Sequence, residues 1–176
     1  METIEKSIEV NAPIRAVYNQ WTQFEEFPRF MDGIDAVQQL DNKRLHWKAT
    51  IAGKTKEWDA EIVEQTPDQI ISWRSISGAA NSGTVRFNVV DANTTKVSLT
   101  LNYEPENATE KMGDALGLVS SKVEGDLKRF REFIEERGRE TGGWRGEIHG
   151  GQESGSGQRL KTAAEIASEP RSKRLH

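Results

Sequence analysis

The stretch from Leu45 to Ile62 constrains this chain most, because it reads as a β-hairpin whose two faces carry opposite chemistry. With a two-residue turn at Ala52-Gly53, Trp47 stands opposite Trp58 and Leu45 opposite Ala60. On the other face the same frame sets Lys48 against Glu57, His46 against Asp59 and Arg44 against Glu61. Side chains alternate along a strand, so a slip of one residue would turn all of them to the wrong face. A frame that separates tryptophans from charges is therefore the expected register. One side of the ribbon must cover something large and apolar, either a packed core or a ligand cavity.

Further strands are expected on either side. Residues 2–10 alternate, with Ile4, Ile8 and Val10 on one face and Thr3, Glu5, Ser7 and Glu9 on the other, while Lys6 interrupts the apolar row. Pro13 suits the first turn of a helix that carries Ile14, Val17, Tyr18 and Trp21 at helical spacing. A second short helical piece runs from Phe24 to Met31 and ends at Gly33, and a strand near Ile34–Leu40 leads into the hairpin. After a turn at Pro67-Asp68, Ile70–Ile76 returns in a frame that sets Ile62 against Ile71, Ala60 against Trp73 and Arg74 beside Asp59.

Gly78–Gly83 reads as a flexible connection into Thr84–Val90. An odd-length turn around Asp91-Ala92-Asn93 keeps Val85, Phe87 and Val89 on one face with Val97, Leu99, Leu101 and Tyr103. Pro105 closes this strand. Between Asn107 and Arg137, Met112, Leu116, Val119, Val123, Leu127, Phe130 and Ile134 recur three or four apart, which predicts a long helix with one apolar stripe. Gly113, Gly117 and Gly125 weaken that helix. They either leave room beneath it for a cavity or permit close packing.

From Arg139 the composition turns to Gly, Ser and Gln, which bury too little apolar area to offset the entropy of ordering. Residues 139–158 are therefore expected to be disordered, with a short helix over Leu160–Ala167. The predicted organisation is one folded domain, 1–138, and a tail, 139–176.

Charge and composition exclude several classes. The chain of 176 residues carries a net charge of −4, and its acidic part is 1–138, so a nucleic-acid partner is not expected. No run approaches the roughly 20 apolar residues of a membrane span, and no secretory leader is expected at the start. With no cysteine there is neither a disulfide framework nor a thiolate nucleophile, which fits the cytoplasm as the expected location. No second His stands at metal-ligand spacing from His46, so no metal and no cofactor is expected.

The element order and four segments carry a resemblance: Val10-Asn11-Ala12-Pro13, Trp21 with Phe24–Met31, Glu57–Ile62 and Ile71–Ser75. Over about residues 2–137 the chain resembles the polyketide cyclase/dehydrase family of the START-like (SRPBCC) ligand-binding superfamily, which includes coenzyme Q-binding START proteins. The resemblance implies an α+β helix-grip fold, in which an antiparallel sheet of about seven strands curves around the C-terminal helix and encloses an apolar pocket. It also implies a small hydrophobic ligand, such as a lipid, quinone or polyketide-like compound.

The inward face then presents Trp47, Trp58, Trp73, Phe87, Val97, Leu99, Leu101 and Tyr103, joined by Tyr18, Trp21, Met112 and Leu116 from the helices. Any one of these suits plain core packing; together, with the resemblance, they make a ligand-lining set. Glu57, Asp59 and Glu61 suggest acid and base groups, but alternation puts them opposite the tryptophans, where they form a solvent-facing ladder. His46 belongs to that ladder. Lys6 either snorkels to the rim or holds an anionic ligand head.

Three functions stay open. The first is binding or carriage of a hydrophobic molecule, with Phe24–Met31 and Gly78–Gly83 as gates. The second is a cyclase, aromatase or dehydrase in the same cavity, with Tyr103 and Tyr18 as the candidate catalytic groups, Lys6 as a further polar candidate, and Arg86 as another only if its strand register shifts by one. The third is a protein-interaction or stress-related module acting through surface and tail.

Overall fold

Strand pairing follows the frame set by the tryptophans and charges. The structure is a computed structural model that describes residues 2–51, 53–104, 113–154 and 159–160. In it β3 (Arg44–Ile51) and β4 (Lys54–Thr66) pair with Trp47 facing Trp58, Leu45 facing Ala60, His46 facing Asp59, Lys48 facing Glu57 and Arg44 facing Glu61. The other principal strands are β1 (Glu2–Val10), β2 (Ile34–Gln39), β5 (Ile70–Gly78), β6 (Asn81–Asp91) and β7 (Thr94–Tyr103). All pair antiparallel in the order β1-β7-β6-β5-β4-β3-β2, so β1 and β2 end the path.

Helix α1 (Ile14–Trp21) and a 3-10 helix (Phe24–Arg29) follow β1, as the apolar spacing predicts. The long helix α2 (Gly113–Arg137) lays Val123, Leu127, Phe130 and Ile134 into the core. The turn from the 3-10 helix to β2 needs Gly33, whose φ is +89° and whose missing side chain makes room for Lys122. Two bonds tie the segment to α2 there: the Asp32 backbone N–H donates to Asp126 Oδ1 at 3.0 Å, and Arg129 Nε donates to the Phe30 carbonyl at 2.9 Å. Among the glycines of α2, Gly117 has open space where a side chain would stand, and Gly125 meets only Arg129. Neither makes the room beneath the helix that one reading gave them.

The β4–β5 pairing differs from the predicted frame. Ile62 pairs with Trp73 rather than Ile71, Ala60 with Ser75 rather than Trp73, and Arg74 stands beside Glu61 rather than Asp59. The cause is a three-residue turn, Pro67-Asp68-Gln69, with Asp68 at φ +63°, and two β-bulges, at Asp59/Ala60 and Ile62/Glu64. An unpaired residue shifts everything beyond it, and alternation alone does not locate it. Nor is Gly78–Gly83 a flexible connection. Strand β5 runs through Gly78 and β6 starts at Asn81, leaving only Ala79-Ala80 between them. The Asn81 backbone N–H donates to Ser75 Oγ and the Ala79 N–H to the Glu57 carbonyl, which hold the corner down.

The largest correction lies after α2. Residues 143–154, expected to be disordered, form β8 (Gly143–Trp144), β9 (Glu147–His149) and β10 (Gln152–Ser154). Strand β9 pairs with β4 at Glu64 and Gln65, where β3 has ended, and β10 pairs with β9, so among the described residues the sheet has nine strands rather than about seven. Trp144 and Ile148 are buried, and the Trp144 backbone N–H donates to Thr22 Oγ1 at 3.0 Å. Gly143 and Gly146 are glycine for packing reasons: a side chain would strike Asn19 at the first and the Trp144 ring at the second. Leu160, expected to open a helix, lies in β11 (Arg159–Leu160), which pairs with β8. The rest of that helix, Pro105, the helical stretch 107–112 and residues 155–158 lie outside the described residues.

Candidate functional site

The concave face of the sheet divides into a filled end and an open end. At the filled end Tyr18, Trp21 and Phe87 are buried with Val97, Ile62, Ile71 and the α2 stripe. Their rings meet edge to face, with centroids 5.2 Å apart for Tyr18 and Phe87 and 4.8 Å apart for Trp21 and Phe130, a favourable aromatic geometry. Gln65 Nε2 donates to Tyr18 Oη at 3.0 Å, and the Arg145 guanidinium lies 5.4 Å from the Tyr18 ring centroid while pairing with Asp68 at 2.8 Å. Burial drives the Tyr18 hydroxyl pKa well above the ordinary tyrosine range, so it keeps its proton.

The open end is formed by Trp47, Trp58, Trp73, Leu99, Leu101 and Tyr103. All six are half-buried, although five pack against the core and the sixth, Trp58, stacks on Trp47. The Trp47 and Trp58 rings lie 6.0 Å apart at 4°, as their cross-strand pairing dictates. Trp73 lies across β6 because its partner there is Gly83; an added methyl would come within 2.3 Å of the indole. Asn81 Oδ1 accepts the Trp73 N–H at 3.0 Å. The Nε1 atoms of Trp47 and Trp58 are covered from solvent and have no acceptor among the described residues. Met112 and the side chain of Leu116 lie outside the described residues.

The two segments expected to gate this end are held in place. Phe24, Phe27 and Phe30 are buried, with Phe27 5.7 Å from Trp47 and Phe30 5.4 Å from Phe130, and the β5–β6 corner is pinned as described.

Charges collect on the convex face. His46 lies between two carboxylates, Nδ1 at 2.6 Å from Asp59 Oδ1 and Nε2 at 3.2 Å from Glu57 Oε1. The Asp59 bond, then the Glu57 bond, raises the His46 pKa; the same imidazole holds Asp59 below its ordinary value. Arg44 turns to Asp41 at 2.7 Å, leaving Glu61 to Arg74 at 3.5 Å and Lys43 at 4.0 Å. Arg86 is likewise exposed, on the face away from Val85 and Phe87. Lys6 reaches the rim, 3.6 Å from Glu124 on α2, and both line a groove of about 270 Å3 between β1 and α2. His149, in the segment whose composition predicts a tail, repeats the His46 arrangement between Glu64 at 3.0 Å and Glu147 at 3.1 Å. Its pKa is raised by the Glu64 bond first and the Glu147 bond second. Among the described residues no group of His, Asp or Glu is arranged to hold a metal ion, and no helix is long and apolar enough to cross a membrane.

A curved antiparallel sheet closed over a long C-terminal helix, with two short helices after the first strand, is the helix-grip architecture of START-like proteins. A START superfamily protein from Mycobacterium smegmatis superposes with a TM-score of 0.69 at 15% identity, covering 77% of this chain and 98% of that one. The Zhui aromatase/cyclase of a Streptomyces species superposes at 0.68 with 19% identity, covering 81% and 98%. An uncharacterized 17.2 kDa protein of Streptomyces lincolnensis is 48% identical over 149 residues, covering 84% of this chain and 99% of that protein. The chain belongs to the polyketide cyclase / dehydrase and lipid transport family, whose model matches residues 10–132.

Proposed function

We propose that the protein binds and carries a small hydrophobic molecule at the open end of the concave face. The observation that carries this reading is the half-burial of six inward-facing apolar and aromatic residues there, beside an end where the same face is packed shut. A ligand that covers roughly 200 Å2 of such surface gains about 5 kcal/mol before the costs of ordering.

Carriage is preferred over catalysis because the described carboxylates and histidines of the ribbon face the opposite way. The contacts we assign to the ligand are Trp47, Trp58, Trp73, Leu99, Leu101 and Tyr103; Tyr18, Trp21 and Phe87 support them from the core.

Titration with 1-anilinonaphthalene-8-sulfonate, followed by energy transfer from tryptophan, tests the reading. One saturable site that weakens at least about tenfold in Trp58→Ala is expected. Absence of saturable binding in the unmodified protein would overturn it. Membership of a family that includes cyclases keeps a second reading, in which Tyr103 orients an enolate. Turnover of a synthetic poly-β-ketone that is lost in Tyr103→Phe would establish that reading, and no acceleration over buffer would remove it.

A further inference from the structure

Where α2 passes the edge strand β1, the groove between them is lined by three cations, Lys6, Lys128 and Arg131, and by one carboxylate, Glu124. That surplus runs against the acidic balance of the chain. Glu124 does not cancel it, because two lysines share that carboxylate, Lys128 at 3.3 Å and Lys6 at 3.6 Å. The Lys128 bond and charge, with Lys6 behind them, hold the Glu124 carboxyl below its ordinary value, as expected where positive charge is in excess. Arg131 has no side-chain partner among the described residues. Glu135, four residues beyond Arg131 on α2, accepts the Asn11 backbone N–H at 2.8 Å.

The placement of Lys6 is itself out of pattern. It faces Leu99 across the β1–β7 pair, in the row of Ile4 and Ile8, where the alternation calls for an apolar residue. Its stem lies along that row and its ammonium emerges at the groove. Ile8 and Leu127 supply apolar surface, and the strand passes the groove at Ser7.

We infer that this groove is an oxyanion site that holds the carboxylate or phosphate group of a small ligand. A guanidinium offers a planar fork of N–H donors to such a group, and each ammonium has donors left over after its bond to Glu124. The site is separate from the aromatic end and does not depend on the carrier reading. The anion is either free or the head of an amphiphile whose chain lies against Ile8.

Amide and indole NMR shifts of the full chain distinguish these cases, with inorganic phosphate, octyl phosphate and octanol as probes. Both phosphates should move the signals of residues 6–8 and 127–131 saturably, and octanol should not. The double substitution Lys128→Gln with Arg131→Gln should weaken both phosphates about tenfold or more. Tighter binding of octyl phosphate than of inorganic phosphate assigns the site to an amphiphile head; equal binding assigns it to a free anion. The inference is overturned if inorganic phosphate gives no saturable shift at the groove, or if the double variant binds as the parent does. Octyl phosphate that moves only the Trp47 and Trp58 indole signals, indifferent to the double variant, would leave carriage standing and remove the groove site.

Discussion

At the scale of single residues, contacts that a sheet imposes decide what each side chain can do. Gly83 is the sharpest case, since the Trp73 indole occupies the space a side chain would need. Gly83→Ala should push Trp73 off β6, cost about 1–3 kcal/mol by overpacking and weaken binding of a hydrophobic probe, which urea denaturation and fluorescence titration would measure. The two histidines make a prediction about pH. Each imidazolium is held between two carboxylates, so its folded pKa lies above 6.5. The stabilisation is complete below that value and is lost as pH rises through the higher folded value. The partners Asp59 and Glu64, lowered from 3.8 and 4.5, lose theirs as pH falls through still lower values. NMR titration should find His46 and His149 protonated above the ordinary range, and His46→Gln should leave the His149 curve in place. All these groups are exposed, so the effect on melting temperature is small.

Among the elements, the segment after α2 alters the picture most. Strands β8 to β10 bury Trp144 and Ile148 and cover a polar row on and after α1: Gln20 Oε1 accepts the Thr141 N–H at 2.8 Å, and Arg145 Nη1 donates to Asn19 Oδ1 at 2.7 Å. Asn19, Gln20 and Thr22 are buried, and each is in contact with this strap. Trp144→Ala should therefore cost about 3–5 kcal/mol in urea denaturation, and truncation after Gly138 should be as damaging, whereas a passive tail would tolerate both. Glycine content argues for disorder only where the glycines serve freedom. Here Gly143 and Gly146 serve close packing. A signal was present in Trp144 and Ile148, two large apolar residues four apart in an otherwise polar run, but alternation over so short a stretch does not by itself name a partner strand. The β3–β4 hairpin was legible because both faces constrained it. The β4–β5 frame was not, since bulges leave no mark in the pattern of apolar residues.

For the whole molecule, the family and the helix-grip fold were readable from element order and separated segments, and the family match over residues 10–132 agrees. What sequence could not divide was the interior. Trp21 and Trp47 are alike in composition, yet one is buried among Phe27, Phe87 and Phe130, and the other stands half-open on Trp58. That division depends on how far α1, α2 and the strap reach across the sheet, a distance no local pattern encodes. It also locates the expected loss of function: substitutions at the open end should change binding and spare stability more than those at the filled end. Native mass spectrometry of the full chain with 1-anilinonaphthalene-8-sulfonate, comparing Trp58→Ala with Phe87→Leu, tests this most directly. A one-to-one adduct that survives Phe87→Leu and is lost in Trp58→Ala is predicted; an adduct indifferent to Trp58, or lost only when Phe87 is changed, would contradict the open-end site.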